Sequence, residues 1–278
     1  MSNLVDIENL HVAFRNDDGE WKDAVRGVSL SLGREKLGIV GESGSGKSLT
    51  GRSLLGVLPP YARMSADKLM FDGLDLQTAT PRLRRSLRGG RMGMILQDPK
   101  FSLNPVMRVG AQIVEAIRIG DRTISSRDAR KRALQTLEQV HIREPERVGR
   151  LYPHELSGGM GQRVMIAMMV VREPDLLIAD EPTSALDVSV RTQVLSILDE
   201  LVTRRGMGLI FISHDLNLVS KFCDRVIVMY AGRIVETIEA SRLRDATHPY
   251  TRGLLSCLPT IDGPLDPLPT LQREASWS

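Results

Sequence analysis

One eight-residue run, "GESGSGKS" from Gly41 to Ser48, restricts the possible folds of this chain more than any other feature. It has glycine, four residues, glycine, lysine and serine in the order of a phosphate-binding loop, between the apolar "LGIV" and a segment with helical spacing. Glycines allow the backbone N–H groups to turn toward phosphate oxygens, and the helix directs its positive end at them. A dinucleotide-binding turn would need a third glycine at Leu49, and a plain flexible loop would not need Lys-Ser at a helix start. The run therefore predicts a strand, a phosphate-binding loop and a helix.

The composition is that of a globular protein and argues against several classes. The chain has 278 residues, of which 42% are hydrophobic and 26% charged. The longest apolar run, 164–171, is far shorter than the roughly 20 residues that cross a bilayer. A net charge of +3 is too small to indicate a nucleic-acid partner, and Cys223 and Cys257 lack the spacing of a metal site. We therefore expect a cytosolic chain with no nucleic-acid partner.

Apolar patterns along the chain predict an α/β fold. The first third reads as strands, and a helix that begins at Ser48 is expected to end at Pro59. "KLGIVG", "DLLIADEP" and "MGLIFISHD" are continuous apolar strands, which are typical of a parallel sheet covered on both faces. We expect a mostly parallel core, an N-terminal antiparallel β subdomain and an inserted helical subdomain at about 98–171. All of these belong to one domain, 1–260, followed by a short tail, 261–278.

The apolar strand "LLIAD" ends in one acidic residue, Asp180, and a second, Glu181, follows directly. Asp180 would lie at the carboxyl edge of the sheet, where it can hold Mg²⁺ through water. Glu181 is placed to act as the base that polarises an attacking water. Alone, the pair could also reflect only the preference for acids at a helix start. Together with Lys47 for the β- and γ-phosphates and Ser48 for Mg²⁺, it predicts nucleotide hydrolysis.

Six motifs in a fixed order resemble those of the ABC ATPases. Between the phosphate loop and "DEP", "MGMILQDP" resembles the Q-loop around Gln97, and "ELSGGMGQRVMIAMMV" resembles the signature. After Glu181, "SALD" resembles the D-loop and "IFISHD" resembles the switch-histidine segment with His214. The resemblance implies a P-loop NTPase core with ATP and Mg²⁺ as cofactors.

The resemblance also assigns the site residues. It implies catalytic roles for Glu181, His214 and Gln97, and metal contacts from Ser48, Gln97 and Asp180. The residues implied to bind the nucleotide are the phosphate loop with its next residue, the signature and the D-loop aspartate: Gly41, Glu42, Ser43, Gly44, Ser45, Gly46, Lys47, Ser48, Leu49, Ser157, Gly158, Gly159 and Asp187. In the family each ATP lies between the phosphate loop of one subunit and the signature of another. The signature residues, before a helix expected to start near Met160, would therefore act on the ATP of a partner chain.

The adenine-stacking residue has two candidates. Phe14, at the end of the first strand, matches the usual family position, and Trp21 is the alternative. Core packing is the other interpretation of either ring.

Two further segments narrow the family. "QDPKFSLNPVMRVG" and "HPYTRGLLSCLP" resemble the importer ATPases for peptides and nickel. This branch implies a second ABC ATPase chain, different or identical, two transmembrane permease subunits and an extracytoplasmic solute-binding protein. The chain would lie at the cytoplasmic face of the cell inner membrane and power import of peptides. Nickel or another solute, a soluble ABC ATPase acting on DNA or ribosomes, and a regulatory protein without useful turnover are the alternatives.

Overall fold

The computed structural model describes residues 3–98, 102–184 and 186–258. The chain divides into two compact units, one comprising Met1–Thr78 with Phe211–Ser278 and the other Ala79–Ile210. The expected tail at 261–278 lies outside the described residues, and the domain bounds 1–260 stay a prediction.

An antiparallel sheet occupies the N-terminal part of the first unit. Strand β1 pairs with β2 on one side and with β4 and β5 on the other, and β6 pairs with β5. Side chains alternate along β1 on each side of an irregularity between Ile7 and Leu10. One face is therefore buried, as at Val5 and Ile7 before the irregularity and at Leu10 and Val12 after it. This is the predicted antiparallel subdomain, and its strands are β1 (Val5–Arg15), β2 (Trp21–Leu32), β4 (Arg63–Ser65), β5 (Lys68–Phe71) and β6 (Leu74–Asp75).

A second group of strands in the first unit leads into the phosphate loop. Strand β3 (Lys36–Val40) pairs in parallel with β10 (Arg225–Tyr230), which pairs antiparallel with β11 (Arg233–Glu239). Leu37, Ile39 and Val40 are fully buried, as the continuous apolar pattern predicted. The remaining elements here are the helices α1 (Lys47–Leu55), α8 (Leu216–Phe222) and α9 (Pro249–Ser256) and a 3-10 turn (Ala240–Asp245).

Helix α1 ends earlier than the sequence pattern predicted. Gly56 takes a left-handed conformation with φ 61°, and its N–H donates to the carbonyl oxygens of Arg52 and Ser53. Glycine adopts this conformation without the steric cost that a Cβ would add, and it is a common helix terminator. The expectation that Pro59 ends the helix is therefore wrong.

The second unit combines a parallel strand pair with the helical insertion. Strands β7 (Met92–Ile95) and β8 (Leu176–Asp180) pair in register, with Ile95 beside Ala179. Strand β9 (Gly208–Ile212) begins in this unit and continues into the other. The helices are α2 (Pro81–Leu87), α3 (Val109–Gly120), α4 (Ser126–Gln139), α5 (Pro145–Val148), α6 (Gly158–Val170) and α7 (Val188–Arg205), with a 3-10 turn at Pro153–Glu155. The α/β class with an inserted helical segment is thus confirmed.

Across the described residues, no helix combines the length and apolarity that crossing a membrane requires.

Candidate active site

The phosphate loop adopts a backbone that only glycine tolerates at two of its corners. Gly41 has φ 147° and Gly46 has φ 96°. A Cβ at Gly41 would lie 2.1 Å from the Met229 carbonyl oxygen, and one at Gly46 would lie 2.9 Å from that of Ala24. Both contacts are with backbone, so the neighbours cannot yield by rotating a side chain. The glycines of the motif are therefore required by close packing as well as by conformation.

The Lys47 side chain lies inside this loop. It is only 6% exposed, and Nζ donates to the carbonyl oxygens of Gly41 at 2.8 Å and Glu42 at 2.7 Å. Lys47 is also the first residue of α1, so the positive helix end lies beside the ammonium group. Ammonium, helix N-terminus and glycine-rich turn together form an anion-binding site suited to nucleotide phosphates.

His214 belongs to the same unit. It follows β9, and its side chain is exposed. The preceding N–H, of Ser213, donates to the Ile39 carbonyl oxygen at 3.1 Å, and β3 runs from Ile39 directly into the phosphate loop. The next residue, Asp215, caps α8 by accepting the Leu218 N–H at 3.0 Å. The chain on both sides of His214 is thus fixed near the carboxyl end of β3.

In the second unit, Gln97, Asp180 and Glu181 follow the carboxyl ends of the parallel strands β7 and β8. Asp180 ends β8 and is 6% exposed. Gln97 Nε2 donates to Glu181 Oε2 at 3.3 Å. Glu181 has a left-handed backbone with φ 48°, which costs an ordinary residue roughly 1–2 kcal/mol. The structure therefore joins two of the three predicted catalytic residues at one sheet edge and holds the carboxylate of Glu181 through the amide of Gln97.

The signature begins helix α6. Ser157 is its N-cap, and the hydroxyl accepts the Met160 N–H at 3.4 Å. The helix therefore starts at Gly158, and the expectation that it starts near Met160 is wrong by two residues. A Cβ on Gly159 would lie 2.5 Å from Val190 Cγ1, so glycine allows α6 to approach α7. Ser157 and Gly158 are exposed at the positive end of the helix, which suits an anion supplied from outside.

Asp187 caps the next helix of this unit. Its Oδ1 accepts the Val190 N–H at 2.9 Å at the start of α7, and its side chain is exposed. The D-loop aspartate thus has a structural role, and its contact with nucleotide stays a prediction.

The two candidate rings for adenine stacking, Trp21 and Phe14, have different neighbours. The Arg63 guanidinium carbon lies 3.8 Å from the centroid of the Trp21 ring, and that of Arg15 lies 5.6 Å from it. The half-buried Phe14 ring is tilted against Tyr61, with centroids 5.9 Å apart. Arginine thus covers Trp21 and Tyr61 contacts Phe14, and the assignment of the adenine to Phe14 stays a prediction.

One contact of the phosphate loop was missed by sequence reasoning. The Glu42 N–H donates to the Tyr250 hydroxyl oxygen at 3.2 Å, across 208 positions of the chain. Tyr250 lies in the "HPYT" segment, which served only as a marker of the importer branch. No pattern in that segment indicates a contact with the phosphate loop.

The sequence of the chain matches the model of a known protein family. The family model described as ABC transporter matches residues 25–184, which is more than half of the chain. The chain belongs to the ABC transporter family, whose ATP-binding cassettes hydrolyse ATP. The predicted family and its ATPase activity are thereby confirmed.

Curated relatives narrow the resemblance to one group within the family. A putative peptide import ATP-binding protein of Brucella abortus is 48% identical over 96% of this chain and 81% of its own length. The oligopeptide transport ATP-binding protein of Bacillus subtilis is 44% identical over 94% of this chain and 74% of its own length. The dipeptide transport ATP-binding protein of the same organism is 43% identical, over 94% and 78% respectively.

Solved structures agree with the fold. The ATP-binding cassette MJ0796, a dimer in a post-hydrolysis state bound to ADP and Pi, gives a TM-score of 0.75 at 26% identity, covering 85% of this chain and 98% of that one. The cbiO1 protein of Clostridium perfringens, part of an ABC transporter complex, gives 0.74 at 26% identity, covering 88% and 92%.

Proposed function

We propose that this chain is the ATP-hydrolysing subunit of an ABC transporter that imports peptides. The observation that carries the proposal is the near full-length identity, 43–48%, to relatives named for peptide, oligopeptide and dipeptide transport. Those names favour peptides over nickel, which the importer branch otherwise leaves open.

The first unit supplies the phosphate contacts in this proposal. The N–H groups of the glycine loop and the Lys47 ammonium bind the β- and γ-phosphates. Lys47 then donates to phosphate oxygens in place of the carbonyl oxygens of Gly41 and Glu42. The Ser48 hydroxyl would be a ligand of Mg²⁺, and the exposed His214 would contact the γ-phosphate.

The second unit supplies the acid–base and metal-binding groups. Glu181 accepts a proton from the attacking water, and the Gln97 amide keeps its carboxylate oriented. Mg²⁺ prefers oxygen ligands, and the Asp180 carboxylate and the Gln97 amide oxygen, together with the Ser48 hydroxyl, are donors of that type. Bound Mg²⁺ would neutralise phosphate charge during hydrolysis.

An importer needs other subunits besides this chain. The exposed N-terminus of α6 supports the proposal that Ser157, Gly158 and Gly159 bind the ATP held by a second ABC ATPase chain, with Asp187 contributing across the same dimer. We propose that the second chain is a different ABC ATPase, so that the pair is a heterodimer. The alternative is a homodimer with a second copy of this chain. Two permease subunits and an extracytoplasmic solute-binding protein complete the transporter, with this chain at the cytoplasmic face of the inner membrane.

Phe14 provides a prediction about the adenine. Stacking of a base on an aromatic ring contributes about 1–3 kcal/mol. Phe14→Ala should therefore raise the Kd for ATP about 5- to 150-fold, as measured by calorimetry, and leave the Kd for inorganic triphosphate unchanged.

Trp21→Ala is the matched control for that prediction, because its ring is already covered by Arg63. It should leave both dissociation constants unchanged. A larger loss of ATP affinity in the Trp21 variant would transfer the adenine platform to that residue.

Uptake by living cells tests the solute assignment. Cells that lack this chain should take up a labelled oligopeptide only when the wild-type chain is restored, and not when the Lys47→Ala variant is restored. Normal oligopeptide uptake in the deleted strain, together with lost nickel uptake, would favour the alternative solute.

A further inference from the structure

The segment His248–Thr251, "HPYT", begins helix α9 beside the phosphate loop of the first unit. His248 is the N-cap, and its Nδ1 accepts the Tyr250 N–H at 3.2 Å. Pro249 occupies the first helical position, where its fixed φ fits and no N–H is needed. The first two residues of the motif therefore set the start and direction of the helix.

Glu236 on β11 anchors this helix start. One oxygen, Oε1, accepts the N–H of Thr247 at 2.7 Å and that of His248 at 3.3 Å. Burial alone would raise the pKa of Glu236, but the hydrogen bonds from Thr247 and His248 lower this pKa below its ordinary value. Thr251, the last residue of the motif, is fully buried. The start of α9 is thus tied to β11, the strand that pairs with β10.

Tyr250 extends from this anchored helix to the phosphate loop. Its side chain is fully buried, and the ring packs against Tyr230 with centroids 4.4 Å apart. Its hydroxyl oxygen accepts the Glu42 N–H at 3.2 Å. The bond is partly buried, and an unpaired N–H is costly where water is partly excluded, so the contact stabilises the observed conformation of the loop.

The Glu42 residue connects this contact to Lys47. Its carbonyl oxygen accepts both the Lys47 ammonium at 2.7 Å and the Ser45 N–H at 3.2 Å. A shift at Glu42 therefore moves the acceptor that places Lys47 and the turn that presents the central N–H groups of the loop.

We infer that Tyr250 is a positioning residue for the phosphate loop, which it holds through Glu42, with Glu236 and the rest of the "HPYT" segment as its support. Its effect on ATP affinity rests on the ATP binding proposed for this loop, whereas its effect on the loop backbone does not.

Tyr250→Phe tests the inference because it deletes only the hydroxyl and keeps the packed ring. We expect amide hydrogen exchange to accelerate in a peptide that covers 39–49. The Kd for ATP should rise about three- to ten-fold, the range for one lost hydrogen bond, with kcat changed by less than about two-fold. Tyr230→Phe is the matched control, since it removes the same atom from the neighbouring ring. It should change neither quantity.

Glu236→Gln provides a second, independent variant. This substitution weakens the anchor at the start of α9 and changes no residue of the phosphate loop. Amide hydrogen exchange in 39–49 should therefore accelerate, but by less than in Tyr250→Phe. Unchanged exchange and unchanged ATP affinity in Tyr250→Phe would overturn the inference. If the wild-type chain bound no ATP, the ATP assignment would fail, while the exchange result would still decide whether Tyr250 holds the loop.

Discussion

Replacing Lys47 by alanine should lower the affinity for ATP about 100-fold or more and remove measurable hydrolysis. The side chain is buried within the phosphate loop, where Nζ donates to two carbonyl oxygens of that loop. Hydrogen bonds to charged groups contribute about 1.5–3 kcal/mol each, so losing two of them to phosphate accounts for this magnitude. Calorimetry with ATP and phosphate release measure the two effects.

Lys221→Ala is the control for charge and length, because Lys221 is an exposed lysine on α8 of the same unit. It should bind and hydrolyse ATP like the wild type. If Lys47→Ala kept its ATP affinity, the loop would not be the phosphate site, and the proposed mechanism would lose its first step.

Replacing Glu181 by glutamine should leave ATP binding intact and lower hydrolysis about 100- to 10,000-fold, the usual contribution of a general base. Glutamine keeps the size and the hydrogen-bonding reach of the side chain but cannot accept a proton from water. The Gln97 amide at 3.3 Å keeps a partner at this position. Because ATP then persists, the dimer with the second ATPase chain should accumulate.

Size-exclusion chromatography with ATP measures the dimer, and a phosphate-release assay measures turnover. Glu138→Gln, an exposed carboxylate on α4 of the same unit, is the matched control and should show normal turnover. Undiminished hydrolysis by Glu181→Gln would remove Glu181 from its proposed role.

The phosphate loop was predictable because its information is local. Fixed spacing of Gly41, Gly46, Lys47 and Ser48 determines both the turn and the helix that follows. Asp180 and Glu181 were predictable for a related reason, since an apolar strand that ends in acids places them at a sheet edge.

Helix ends were predicted less well, because they depend on the geometry of single residues. Gly56 ends α1 in the left-handed conformation, three residues before Pro59. Ser157 caps α6 through its hydroxyl, and the first helical residue, Gly158, lies two positions before the expected Met160. Each end involves one capping contact, which apolar periodicity does not record.

Contacts between distant parts of the chain could not be derived from sequence patterns. Nothing in the pattern near Tyr250 indicates that its hydroxyl meets Glu42, 208 positions away. The cover that Arg63 places over the Trp21 ring likewise comes from another strand.

The most direct test of the central claim is ATP hydrolysis by the complete complex in liposomes, comprising this chain, its ATPase partner and the permeases. Solute-binding protein loaded with an oligopeptide should raise the hydrolysis rate several-fold over unloaded protein, with labelled peptide accumulating on the side of the ATPase chains. The Glu181→Gln complex should show neither response. ATP hydrolysis that does not respond to peptide, or peptide accumulation without ATP, would contradict the assignment of this chain as the motor of peptide import.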